Sequence, residues 1–180
     1  MTIRKILTEP DPFLRQKSEL VNEVNDEVRI LMDDMLETMY DAPGIGLAAI
    51  QVGVPKRIIV IDLSKDKEKK NPLFFINPEL VTRSKKDTSY EEGCLSVPNQ
   101  FAEISRPDAC KVKYQDYDGS QRILEAQGLL ATCIQHEMDH LEGILFIDYL
   151  SKLKKNMILK KLSKQKKNVR ENSCLIIDVF

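Results

Sequence analysis

Both histidines of this 180-residue chain fall in one five-residue segment, His136-Glu137-Met138-Asp139-His140. On an α-helix, residues i and i+4 share a face one turn apart, so two imidazoles at this spacing can reach one metal ion. Glu137 then stands beside the coordination position where a metal-bound water sits. A solvated helix with incidental His and acidic residues would carry the same letters. The upstream pattern points elsewhere: Leu129, Cys133, His136, Glu137 and His140 fall on one helical face, apolar at its start and ionisable at its end. Burying such a face leaves two imidazoles and a carboxylate to satisfy, and metal coordination is the simplest way to do so. A catalytic tetrahedral site needs a third protein ligand and one open position. With no further His, a thiolate or a carboxylate must serve. Glu91-Glu92-Gly93-Cys94-Leu95-Ser96 offers Cys94 beside a glycine that allows close approach. A lone Cys is also commonly a small buried hydrophobe, so carboxylates elsewhere remain alternatives on this reading.

The periodicity around this segment predicts an α+β chain. Pro10 and Pro12 exclude a long helix over residues 1–24. Val28, Leu31, Met32, Met35, Leu36 and Met39 recur at helical spacing behind the caps Asn25 and Asp26, giving a helix over about 25–40 that ends at Pro43-Gly44. Residues 57–63 read as a buried strand, 64–71 as a charged loop, and 73–77 as a strand stopped by Pro78, with 80–83 pairing nearby. Alternation over 111–117, then Asp118-Gly119 and residues 121–126, signals a hairpin. The site helix spans about 128–141, with Gly143 after it, and a final helix covers about 151–169. Short, largely antiparallel strands in twisted sheets are expected around the site helix. Neither repeats nor a linker divide the chain, so residues 1–150 form the catalytic part and 151–180 a basic helix and apolar tail of the same domain.

Composition removes several function classes. Hydrophobic residues make up 42% and charged residues 31%, ordinary for a globular protein. Cys94, Cys110, Cys133 and Cys174 show no paired spacing, which argues against a disulfide framework and for a reducing compartment. No signal-peptide or transmembrane stretch is visible, so a cytoplasmic protein without a membrane partner is expected. The net charge of −1 hides an asymmetry: residues 151–170 hold eight Lys, one Arg and no acid.

Three segments together are similar to the signatures of the peptide deformylase family: Gly44-Ile45-Gly46-Leu47-Ala48-Ala49-Ile50-Gln51, Glu92-Gly93-Cys94-Leu95-Ser96 and Gln135-His136-Glu137-Met138-Asp139-His140. One alone would be weak, but three in this order are specific. The resemblance covers residues 3–150. It implies a metallohydrolase that removes the formyl group from the N-terminal methionine of new polypeptides. Cys94, His136 and His140 are the implied ligands of one divalent metal, Fe2+ in the cell, with Zn2+, Ni2+ or Co2+ able to replace it. Glu137 is the implied proton carrier, and Gln51 with the Leu95 amide the implied oxyanion donors. The peptide would add as a strand along Ile45 and Gly46 with Gly93 opposite, and Leu129 and Cys133 would line the methionine pocket. Both also fit ordinary core packing. Many relatives carry Arg near position 101, where this chain has Phe101.

The expected partners are therefore N-formyl-methionyl nascent peptides and, through the basic C-terminal helix, the ribosome, with no DNA. The rivals are an HExxH metallopeptidase, which lacks a third His here, a Cys–His hydrolase using Cys94, and a non-catalytic ribosome-binding homologue with a closed structural metal site.

Overall fold

Asn25 caps the first helix, α1 (Asp26–Asp41), by accepting the Val28 N–H at 3.1 Å. The computed structural model describes residues 2–64 and 69–175, with side chains up to residue 165. After α1 the chain forms β1 (Gly46–Ala48), β2 (Ile58–Ile61), β3 (Leu73–Arg83), β4 (Asp87–Cys94), β5 (Val97–Pro107), β6 (Ala109–Gln115) and β7 (Gln121–Gln127). Helices α2 (Gly128–Leu141) and α3 (Lys152–Leu175) follow. Among the described residues, no helix is long and apolar enough to cross a membrane.

The strands make an antiparallel five-stranded sheet in the order β1-β2-β3-β6-β7 and a separate β4–β5 hairpin. All four β2 residues are buried because the large sheet is covered on both faces. Ile59, Ile61, Phe75 and Val112 pack with Ile134 of α2, while Ile58, Val60 and Ile76 pack with Met32, Met35 and Met39 of α1. A third cluster joins Val97 and Ile104 of β5 to Phe146, Ile158 and Leu162, which seats α3 on the hairpin.

The site helix matches its expected bounds, and α3 is longer than expected from sequence. Two other expectations change. Pro78 does not stop β3, because the register shifts between Ile76 and Glu79 and Asn77 adopts φ 51°. Proline lacks a ladder donor, and an irregularity of this kind accommodates it. The β4–β5 hairpin was not anticipated, since Asp87-Thr88-Ser89-Tyr90-Glu91-Glu92 carries no apolar alternation. The apolar chain end is described only in part, as residues 176–180 lie outside the described residues.

Candidate metal centre

Helix α2 runs between the two sheets, touching β1 and β2 on one side and β4 and β5 on the other. Its buried side carries Ala131, Cys133, Ile134, His136, Glu137 and His140. Cys94 is the last residue of β4 and pairs with Val97 across a two-residue turn formed by Leu95 and Ser96. That turn delivers the thiol to the helix: Cys94 Sγ lies 3.3 Å from His140 Nε2. The donor atoms of Cys94, His136 and His140 all fall within 4.8 Å of one another.

A buried charge network holds this constellation. His136 Nδ1 lies 2.8 Å from Glu92 Oε2, leaving Nε2 for a ligand. Arg106 of β5 grips Glu92 in a bidentate pair at 2.5 and 3.1 Å and reaches Asp139 at 2.7 Å. Tyr149 donates to the same Asp139 oxygen at 2.8 Å. Burial disfavours charge on Glu92, but His136 and Arg106 outweigh it and hold the carboxyl below its usual range. In the metal-free protein burial likewise opposes charge on His136, yet Cys94 and Glu92 raise it well above the ordinary histidine range. For His140, burial and the neighbouring His136 push the opposite way.

Glu137 is only 4% exposed, and its Oε2 has no hydrogen-bond partner among the described residues. Burial lifts its carboxyl to about 7 in the metal-free protein. The opposite wall is β1. A Cβ on Gly46 would stand 2.9 Å from Glu137 Cδ and 3.0 Å from Cys133 Sγ, so only glycine lets the strand lie this close. The Ile45 carbonyl accepts the Asp62 N–H, and Leu47 pairs with Val60. The main-chain groups of Gly46 between them therefore point away from the sheet, along its unpaired edge.

Gln51 is buried behind the thiol. Its Oε1 accepts the Ala48 N–H at 2.8 Å, which fixes the amide, and Nε2 donates to Ser96 Oγ at 3.0 Å and lies 3.5 Å from Cys94 Sγ. A cavity of about 550 Å³ opens over these groups. Ile45 and Leu129 stand half-exposed at its mouth, Cys133 is buried within it, and Gly93 forms part of the wall. Phe101 is 65% exposed and pairs with Gly93 across the hairpin, where an added Cβ would meet one edge of its ring at 2.5 Å.

The donor set suits a metal on its own chemistry. One thiol and two imidazoles converge, one imidazole is braced by a carboxylate, and three protein ligands leave a position open next to an unpartnered buried carboxylate. The family model for polypeptide deformylase matches residues 3–156. The chain belongs to the polypeptide deformylase family. The peptide deformylase of Pelagibacter ubique (strain HTCC1062) is 66% identical over 168 residues, 93% of this chain and 98% of that protein. That of Rhizobium meliloti (strain 1021) is 56% identical over 167 residues, 93% and 96% of the two chains. Among solved structures, the Ehrlichia chaffeensis peptide deformylase in complex with actinonin superposes with a TM-score of 0.88 at 45% identity, covering 92% of this chain and 98% of that one. Peptide deformylases are metalloenzymes that hydrolyse the formyl group from nascent polypeptides, and this chain's Cys94, His136 and His140 can bind a metal ion.

All eleven residues singled out from the sequence lie around this one cavity or directly behind it. Glu92, Arg106, Asp139 and Tyr149 were not given roles. Glu92 had a usable signal, since a ligating His needs an outer partner and Glu92 sits two residues from Cys94. Arg106 had none, because its place depends on the β4–β5 register.

Proposed function

We propose that this deformylase works through Cys94, His136 and His140 as ligands of a single divalent metal, Fe2+ in the cell, with Glu137 as its proton carrier. The observation that carries this reading is the buried, unpartnered Glu137 Oε2 beside three converging donors. When bound, the metal supplies Lewis acidity and lowers the pKa of water into the neutral range. The chain's own groups do the rest. The outward main-chain groups of Gly46 hold the peptide as an added strand, with Gly93 on the facing wall. Leu129 and Cys133 receive the methionine side chain. Glu137 takes a proton from the attacking water, whose oxygen bonds to the formyl carbon. The oxyanion that develops on the formyl oxygen is met by Gln51 Nε2, already aligned by Ala48 and Ser96, and by the Leu95 amide. Glu137 then gives the proton to the peptide nitrogen, the C–N bond breaks, and formate and a free amine leave.

Residues 151–180 belong with the catalytic part as one domain, a reading supported by the packing of Ile158 and Leu162 on Phe146. Lys152, Lys154, Lys160, Lys161 and Lys164 are exposed on α3 and offer a cationic surface to ribosomal RNA. Such an enzyme acts in the cytoplasm.

The test compares formyl-Met and acetyl-Met peptides anaerobically with Fe2+ or Ni2+, with and without chelator. Turnover selective for formyl and abolished by chelation is expected, and Glu137→Gln should retain metal while losing hydrolysis. An active Glu137→Gln protein would overturn the role given to that carboxylate.

A further inference from the structure

One short stretch of chain, unused by the mechanism above, meets His136 by two routes. After Gly143 the chain makes a 3₁₀ turn, Phe146–Tyr149, and then enters α3. Phe146 is buried, and its ring stacks on the His136 imidazole with centroids 6.3 Å apart and planes 24° from parallel. Three residues on, Tyr149 reaches the same imidazole by a relay. Its hydroxyl donates to Asp139 Oδ2 at 2.8 Å, the oxygen that Arg106 also grips, and Arg106 in turn holds the Glu92 carboxylate that meets His136 Nδ1. The tyrosine ring also lies against Arg106, whose Cζ is 4.9 Å from the ring centroid. The Arg106 side chain is only 5% exposed, whereas Tyr149 is 52% exposed. A second cavity, of about 250 Å³, opens here and is lined by Arg106, Asp139 and Tyr149 among others. Tyr149 thus shields a buried charge network with a ring that is itself half in water.

We infer that Tyr149 is a positioning residue for His136 as a metal ligand, acting through Asp139, Arg106 and Glu92. The inference rests on the reading that Cys94, His136 and His140 hold the ion. A ligating imidazole takes its orientation and part of its donor strength from the acceptor at its other nitrogen, and losing an outer partner typically weakens metal binding about 10- to 100-fold. Glu92 is that acceptor, and Arg106 divides its donors between Glu92 and Asp139. With the Tyr149 hydroxyl in place, Asp139 has a second donor and a fixed orientation, and Arg106 is fixed with it. With the ring in place, less water competes for the guanidinium, and charge pairing is stronger where water is excluded. Removing the hydroxyl loosens Asp139. Removing the ring as well wets Arg106 and weakens its grip on Glu92. Each step leaves His136 freer to turn away from the ion. Tyr149 does not line the substrate cavity, so its effect falls on how long the ion is kept rather than on the reaction of the loaded site.

The experiment loads wild type, Tyr149→Phe and Tyr149→Leu with Ni2+ and follows release of the ion into excess chelator. Phenylalanine keeps the ring against Arg106 and loses the hydroxyl, whereas leucine loses both. Release is expected to quicken about 2- to 10-fold for Tyr149→Phe and about 10- to 100-fold for Tyr149→Leu, with kcat/KM on formyl-Met-Ala-Ser at saturating Ni2+ within about twofold of wild type. The Co2+-loaded proteins give a second readout. Their ligand-field absorption bands should shift in both variants because the donor at His136 changes, and a residue that merely supports the fold would not move them. Unchanged release and unchanged bands in both variants would overturn the inference, even with a lowered Tm. Release from Tyr149→Phe at the wild-type rate would overturn the relay through Asp139. A wild-type protein that takes up no ion would defeat the ligand assignment itself and the inference with it, an outcome visible without either variant.

Discussion

Gly46→Ala is the sharpest test of how β1 and α2 fit together. The added methyl would stand 2.9 Å from Glu137 Cδ, closer still to Oε1, and 3.0 Å from Cys133 Sγ. Carbon atoms in ordinary contact are about 3.5–4.0 Å apart, so the carboxylate must retreat by about 0.6–1.1 Å. Gly46 does not have positive φ, so alanine strains no backbone torsion. The methyl's three nearest contacts are on the Glu137 carboxylate and the Cys133 thiol. The cost therefore falls first on that carboxylate and then on the Cys133 thiol. A misplacement of about 1 Å in a reacting group costs up to about 100-fold in rate. We expect kcat/KM on formyl-Met-Ala-Ser to fall about 30- to 100-fold with metal content unchanged at one ion per chain and Tm within a few degrees. Metal analysis, peptide kinetics and thermal unfolding on the same preparation decide the matter. A Gly46→Ala enzyme within about threefold of wild type would refute the claim that this contact sets the position of Glu137.

Four further outcomes follow from described contacts. Gln51→Ala removes an aligned donor and should lower kcat about 10²–10³-fold while metal is retained, measured by turnover beside metal analysis. Arg106→Leu strands Glu92 and Asp139 in a buried setting and should cost about 3–5 kcal/mol of stability, seen as a large drop in Tm; an unchanged Tm would contradict the network. Asp34 is held below its usual range by the Thr2 N–H, against a burial effect, and by Arg4. Its folded pKa is depressed, so its contribution is present above about pH 4 and is lost as pH falls through the lowered value; Asp34→Asn should flatten the acid limb of the stability curve in urea titrations below pH 4. Replacing Lys152, Lys154, Lys160, Lys161 and Lys164 by Gln should weaken ribosome cosedimentation and reduce its salt dependence while small-peptide turnover stays constant, and unaltered cosedimentation would remove the proposed contact.

How much of this was legible depended on whether the signal was local. Helix α2 announced itself through apolar spacing and Gly143, and β6–β7 through Asp118-Gly119 between alternating runs. The paired histidines named a metal before any fold was known. The third proposed ligand was not fixed by spacing, because Cys94 lies 42 positions from His136 and meets it only when the hairpin folds against α2. There the family resemblance, not periodicity, selected the thiol. The hairpin itself was hidden because its strands bury charges, Glu92 and Arg106, on the face that packs against the helix. Polar residues on an inward face erase the alternation by which strands are read. Pro78 misled for a related reason: a break in register inside β3 removes the need for the donor that proline lacks.

The three proposed ligands come from both sides of a seam. Cys94 belongs to the small hairpin, whereas His136 and His140 belong to the helix packed on the large sheet. An ion held by all three is thus a clamp between two halves of the molecule as well as a reagent. Anything that binds only the assembled form stabilises it by mass action, about 2.7 kcal/mol at a hundredfold excess over its dissociation constant. On this reading metal supply would act on the persistence of the fold along with turnover. Without the ion, that seam would rest on side-chain packing and on the Glu92–Arg106–Asp139 network that crosses it.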